Sequence, residues 1–271
     1  MIHTLFDRHH LEGSPNFRDL GGLPAADGKH IKPKRLLRCG HLAYITKVDE
    51  ETLAKDYDLK TVVDLRTANE INRRPDVKIE GVEYVRCPIF EQPMEGVTRE
   101  TAVPHNPVES ALRMAHNIEG DAPHQRMIRF YGRFFEEDGL KHYAEFFEHV
   151  LNQEEGAVLW HCTMGKDRCG TAAILLETAL GVPADWILAD YLYTNYRINH
   201  ITEETISQAR LVENDENLMH IIRIMDAVHP DYVDAIHNYA KAISGSLDNL
   251  IREKLGMTEE KISRLREMYL E

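Results

Sequence analysis

The stretch that most restricts the fold runs from Ala157 to Thr171, Ala-Val-Leu-Trp-His-Cys-Thr-Met-Gly-Lys-Asp-Arg-Cys-Gly-Thr. Its apolar opening, Ala157 to Trp160, has the length and composition of a buried strand. The run breaks at His161-Cys162, passes through a short polar loop, and resumes as a helical pattern from Gly170 to Leu180. A strand that empties through a tight loop into a helix turns the loop N–H groups and the helix N-terminus toward one point, which makes an anion site. Cys162 opens that loop and Arg168 closes it, with five residues between them.

Those residue types suit attack on phosphorus. A helix N-terminus and neighbouring cations favour a thiolate at Cys162, and a thiolate is a ready nucleophile. A phosphate ester brings three equatorial oxygens whose charge must be held through the transition state. The backbone N–H groups of Thr163, Met164, Gly165, Lys166 and the residues after them can hold it, together with the Arg168 guanidinium. Arginine serves better than lysine because its fork binds two oxygens at once. Gly165 lets the backbone curl without a Cβ in the way.

The loop His161-Cys162-x-x-Gly165-Lys166-Asp167-Arg168 resembles the signature of the atypical bacterial protein-tyrosine phosphatases. That subgroup has dual or triple specificity toward phosphotyrosine, phosphoserine or phosphothreonine, and phosphoinositides. Asn16-Phe17-Arg18-Asp19-Leu20-Gly21-Gly22 is similar to a second motif of the group, and Val62-Val63-Asp64-Leu65-Arg66, ahead of a helix containing Glu70, to a third. The tail from Gly245 to Leu270 also looks like the family's closing helices, so the resemblance spans most of the chain in the family's order. Residues 91–125 carry no match. The resemblance implies a cysteinyl-phosphate intermediate, Asp167 as the acid that protonates the leaving oxygen, and Lys166 as a group that widens acceptance to acidic phospholipid headgroups. It also places Asn16 to Gly22 near the active site.

Several roles stay open on the residues themselves. Asp167 lies between two cations, which favours its carboxylate form and keeps Asp64, Asp76 and Asp121 as alternative acids, with Asp167 then pinning the loop. His161 either orients and acidifies the thiol or packs at a strand end. Arg66 ends a strand and is expected to brace the signature loop in preference to reaching the substrate. Cys169 departs from the family, where a threonine or serine follows the arginine. A thiol is the poorer hydrogen-bond donor and would slow hydrolysis of the cysteinyl phosphate. It either packs as a small hydrophobe or closes a reversible disulfide with Cys162.

Composition excludes other classes. With 32 Lys plus Arg against 45 Asp plus Glu, the net charge of -13 disfavours nucleic acid as a partner and leaves attraction of an anionic substrate to the loop's own field. Four cysteines, at 39, 87, 162 and 169, show neither metal spacing nor a disulfide framework, and read as those of a reducing, cytoplasmic chain. Export without a cleavable signal stays open. No apolar signal core and no stretch of transmembrane length is present, so membrane insertion is not expected. Fifteen histidines are scattered, without a His-Glu-x-x-His or similar helical pairing, so neither a catalytic metal nor a cofactor is expected.

The remaining pattern predicts one α/β domain over residues 1–271, with a central, mostly parallel sheet flanked by helices, as in tyrosine phosphatases. Strands are expected at Leu36 to Cys39, Thr61 to Leu65 and Val82 to Cys87, and helices at Asp49 to Tyr57 and Ala68 to Arg74. Met127, Phe130, Tyr131, Phe134 and Phe135 form one aromatic stripe at helical spacing, and Leu140 to Leu151 a second, both read as core in preference to a lipid path. Residues 91–125, rich in proline and glycine, read either as a specificity insert, lid-like over the pocket, or as a surface loop without a role. The function read here is a metal-free phosphatase whose partner is a phosphorylated protein or a phosphoinositide. A rhodanese-like sulfurtransferase, which needs no arginine six positions after its cysteine, and a non-catalytic phosphate-binding pseudo-phosphatase are the alternatives.

Overall fold

The computed structural model describes residues 5–6, 10–90, 107–118 and 123–271; residues 91–106 and 119–122 of the expected insert, with Asp121, lie outside the described residues. Strands β1 (Arg18–Asp19), β2 (Leu36–Cys39), β3 (Leu59–Asp64), β4 (Glu83–Arg86) and β5 (Ala157–His161) form one sheet in the order β1-β2-β5-β3-β4. All neighbours are parallel except β1, which pairs antiparallel with β2 at the edge. This is the α/β sheet that the strand spacing predicts.

β5 is the middle strand and is buried along its whole length. Side chains alternate across a strand, so Val158 and Trp160 enter a large core with Val63, Phe146 and Ile174, while Ala157 and Leu159 enter a smaller one with Phe17, Leu53 and Tyr57. A strand covered on both faces has no polar side to show. That is why it reads as an unbroken apolar run.

Eleven α-helices among the described residues, with short 3-10 helices at Ala26–Gly28 and Arg133–Phe135 and a π-helix at Thr52–Asp56, complete the chain: α1 (Lys47–Glu51), α2 (Ala68–Arg73), α3 (Pro107–Ile118), α4 (Pro123–Gly132), α5 (Glu137–Asn152), α6 (Asp167–Leu180), α7 (Ala184–Val212), α8 (Glu216–Asp226), α9 (Pro230–Ser244), α10 (Leu247–Glu253) and α11 (Glu259–Tyr269). α6 follows the signature loop directly and is buried on nearly every side. Its end is set by Gly181 at φ 76°, where Gly181 N donates to Thr178 O and Val182 N to Glu177 O, the paired closure that a left-handed residue permits.

Two helices depart from the sequence expectation. α3 lies inside the stretch read as irregular, yet Val108, Ala111, Leu112, Ala115 and Ile118 are buried at helical spacing. α7 runs for 29 residues where only its start is readable. Its buried face includes Asp190, Tyr191, Thr194, Thr202 and Thr205, so polar groups hide the 3.6-residue period. Among the described residues, no helix is long and apolar enough to cross a membrane.

Candidate active site

The loop between β5 and α6 is held from outside by its carbonyls. His41 N donates to Thr163 O at 3.1 Å. Asn16 Nδ2 donates to Gly165 O at 2.8 Å and to Met164 O at 3.3 Å. Arg38 Nη2 reaches Gly165 O at 3.0 Å. In a trans peptide the N–H of the next residue points opposite to each carbonyl. The N–H groups of Met164, Gly165 and Lys166 are thereby aimed inward, and Cys162, buried at the end of β5, opens the same turn. Gly165 has φ 67° and a Cβ there would come within 2.5 Å of the Cys39 carbonyl carbon, so no other residue fits. The carbonyls of Thr163, Met164 and Gly165 thus face out of the turn, the arrangement an anion bowl would need.

Arg168 enters the bowl from the first turn of α6, clamped by Glu70 of α2. Its Nη1 donates to Glu70 Oε2 at 2.6 Å and its Nη2 to Oε1 at 2.7 Å. A guanidinium has five N–H groups, so this fork leaves the Nε–Nη2 edge for two oxygens of a bound ester. Glu70 is itself fixed: Thr67 caps α2 and forms a reciprocal capping box with it, and the Thr163 hydroxyl donates to its Oε1. Burial pushes the Glu70 carboxyl up, but the adjacent Arg168 charge and these donors outweigh it and bring its pKa down to about 2.

Two buried ionic groups lie behind the loop. In the first, Arg18 Nε meets Asp190 Oδ1 at 2.6 Å, Arg38 Nη1 meets Asp190 Oδ2, and Arg18 Nη1 donates to Asn16 Oδ1 at 2.5 Å. Glu177 shares this region, where burial and Asp190 hold its carboxyl well above the ordinary range. Arg18 and Arg38 thus both meet Asp190 directly behind the loop.

In the second group, Arg66 Nη2 pairs with Asp64 Oδ2 at 2.7 Å and Asp76 Oδ2 at 2.6 Å, and His161 Nε2 is 3.2 Å from Asp76. Burial opposes charge on His161, yet Asp64 and Asp76 raise its pKa, while Asp76 is held well below the carboxylate range despite its burial by His161 and Arg66. His161 Nδ1 also lies 3.2 Å from Cys162 O. Arg66 is directed into this network, where it also donates to Arg74 O at 2.9 Å, and Asp64 and Asp76 are spent on the same ion pairs.

Asp167 stands at the mouth. The Tyr131 hydroxyl donates to its Oδ1 at 2.8 Å, Tyr191 lies 2.5 Å from the same hydroxyl, and Lys166 Nζ is 3.7 Å from Oδ2. Lys166 is less free than expected: its ammonium is bound by Met225 O and, at 3.3 Å, by Asp226 O, the last carbonyls of α8. The wall above Cys162 is apolar, formed by Met114 of α3, Met127 of α4, Ile198 of α7 and Met225 of α8. Met127 thus has two duties, core and wall. Cys169 is fully buried with Sγ 3.6 Å from Trp160 O, and burial pushes its thiol up to about 12.

The side chains that sequence reasoning did not assign are those that hold the bowl. Asn16 was placed only within a motif, Glu70 only within a helix, and Tyr131 only within an aromatic stripe. The signal for Glu70 is Thr67-x-x-Glu70, a capping box that fixes one carboxylate oxygen locally and leaves the other to face outward. Asn16, at φ 60°, is the left-handed asparagine expected where a side chain must turn back on a nearby backbone. Tyr131 and Asp226 have no local signal.

A family model described as the tyrosine phosphatase family matches residues 9–271. The chain is 32% identical over 257 residues to a Cupriavidus necator protein that carries the name tyrosine-protein phosphatase, an alignment covering 94% of this chain and 85% of that one. It is 24% identical over 279 residues to the triple specificity protein phosphatase PtpB of Mycobacterium tuberculosis, covering 96% and 98%. A Nostoc commune tyrosine-protein phosphatase is 28% identical over 171 residues, covering 62% of this chain and 51% of its own length.

Proposed function

The chain belongs to the tyrosine phosphatase family, and from that premise we propose a cysteine-dependent hydrolysis of phosphate monoesters in which no metal takes part. The Cys162 thiolate attacks phosphorus, the ester P–O bond breaks, and the leaving oxygen takes a proton from Asp167. Water then attacks the cysteinyl phosphate and gives its proton to Asp167. The S–P bond breaks, releasing phosphate and restoring the thiolate. Through both steps the inward N–H groups of the loop and the free edge of Arg168 hold the equatorial oxygens. Because Tyr131 occupies Asp167 Oδ1, Oδ2 is the oxygen left to carry the proton.

The observation that carries this reading is the outward fixing of the Thr163, Met164 and Gly165 carbonyls, which builds an oxyanion cradle directly after Cys162. A sulfurtransferase cradle has no use for the Arg168–Glu70 clamp. Cys162→Ser is expected to abolish phosphate release from a phosphotyrosine peptide, and release that survives it removes the mechanism. Asp167→Asn is expected to slow tyrosyl phosphate by about 10²–10⁴-fold, the range of general acid catalysis, and an activated aryl phosphate far less. Equal losses on both would transfer the acid role elsewhere.

Phosphotyrosine is the preferred ester. The wall of Met114, Met127, Ile198 and Met225 suits a flat apolar ring, since thioether side chains adapt to aromatic faces. Lys166, the cation that would receive the additional phosphates of an inositol ring, has its ammonium engaged by the end of α8. Phosphoserine, phosphothreonine and phosphoinositides rank below it on this reading, and a relative named for triple specificity supports acceptance of more than one ester. A turnover panel over the four substrates tests the ranking; faster turnover of a phosphoinositide than of a phosphotyrosine peptide reverses it.

A further inference from the structure

Away from the bowl, three ligand-type side chains converge where α4 meets α9. His124 lies in the first turn of α4, His229 precedes α9 as its cap, and Asp231 lies in the first turn of α9. Asp231 Oδ2 is 2.8 Å from His124 Nε2 and 3.5 Å from His229 Nδ1. One ligand atom from each residue lies within 4.8 Å of the others, and the two imidazoles meet edge to face at 4.6 Å. We propose that these three residues bind a divalent transition cation of the zinc class, with water completing its coordination, and so clamp α4 to α9.

The donor chemistry favours that class. Two imidazole nitrogens and a carboxylate oxygen are the borderline ligands that zinc takes, whereas calcium and magnesium want oxygen alone. The spacing also fits, because bonds of about 2.0–2.1 Å in a tetrahedral site put neighbouring ligand atoms about 3.3 Å apart. Asp231 and His229 stand near that separation already, and His124 must retreat by about half an ångström. His229 gives up only a long bond, 3.3 Å, from Asp231 N. The second nitrogen of His124 lies 3.3 Å from the Tyr232 hydroxyl, the outer partner that orients a ligating imidazole.

Contrast with the other cluster of the kind among the described residues sharpens the case. Asp64, Asp76 and His161 are buried and already carry Arg66 between them. At the α4–α9 junction the ion-pair partners of Asp231 are the two imidazoles, and the three side chains are 29%, 54% and 49% exposed in chain order, so an ion can enter. With neutral imidazoles the cluster carries one negative charge, which a divalent ion reverses. The site also has a path to the bowl: the Tyr232 ring stacks on Tyr131 at 5.1 Å, and Tyr131 donates to Asp167.

The test is calorimetric titration of zinc into the full chain carrying Cys162→Ser, which removes the one thiol that opens onto the bowl. One ion per chain at micromolar affinity or tighter is expected, with a higher melting temperature. His229→Gln and Asp231→Asn are each expected to weaken binding at least tenfold while each metal-free variant still unfolds cooperatively, its melting temperature lowered only by the lost cap or ion pair. No binding up to millimolar zinc, or binding undiminished in the double variant, overturns the proposal. Should a variant fail to fold, cobalt(II) added to the parent decides: bands without a thiolate charge-transfer component support the site, and a thiolate band removes it. Because the readout is metal binding and not turnover, its outcome is independent of the phosphatase reading.

Discussion

The floor and the wall of the bowl are built on opposite principles. The floor, residues 162–168, is pinned by hydrogen bonds donated by the buried Asn16, Arg38 and His41 and by the buried Glu70 carboxylate, which accepts from Arg168 and Thr163. The wall is four apolar side chains on four helices, three of them methionine, held by packing alone. A hydrogen-bonded network fixes positions to tenths of an ångström, as charge stabilisation in a transition state requires. A methionine surface adapts its shape. On the proposed mechanism, rate would follow from the floor and substrate choice from the wall.

The harshest way to break that division is Arg168→Lys, which keeps a charge but loses the fork. It is expected to lower kcat by about 10²–10³-fold, comparable to deleting an oxyanion donor, with kinetics on a phosphotyrosine peptide as the check. Next comes Glu70→Gln, expected to cost about tenfold or more in kcat by releasing Arg168, and to alter acid stability. The Glu70 pKa is lower folded than unfolded, so its contribution, about 3 kcal/mol, is present above the ordinary glutamate value and disappears as pH falls from about 5 to 2. Urea unfolding across that window should show a slope in the parent that is reduced in the variant; matching slopes would mean that the pair does not stabilise the fold.

Milder is Asn16→Ala, which leaves the Gly165 carbonyl to Arg38 alone and tests whether a remote brace sets the rate. A loss of about 1–2 kcal/mol is expected to appear in kcat, with KM nearly constant. Smallest is Met127→Ala, whose effect should fall on KM and differ between aryl and alkyl phosphates by a few-fold, as a change of apolar pocket contacts does. A Met127 variant that lowers kcat equally on every substrate would erase the distinction between floor and wall.

Legibility follows the same line. Cys162 and Arg168 are local, encoded by an apolar strand, a glycine and a helix start, and β2, β3 and β4 are readable from their own patterns, whereas β1, an arginine and an aspartate, is not. The braces come from afar: Asn16 and Gly165 are 149 positions apart, Glu70 and Arg168 98. A single buried asparagine has no periodicity to betray it. α3 was hidden because prolines and glycines around it make the stretch look irregular, and the reach of α7 because its buried face includes threonines, tyrosines and an aspartate. Lys166 shows the other limit, since the loop motif gives its position but not the α8 carbonyls that occupy its ammonium.

The 149-residue span from Asn16 to Gly165 has a bearing on how the chain matures. Contacts of such sequence separation are slow to form, because long segments must close before they are rewarded. On a polypeptide leaving the ribosome Asn16 is out well before Gly165, and Asp190, which holds the arginine behind Asn16, emerges only after both. Turnover should therefore return in the last phase of refolding, after helical signal has recovered.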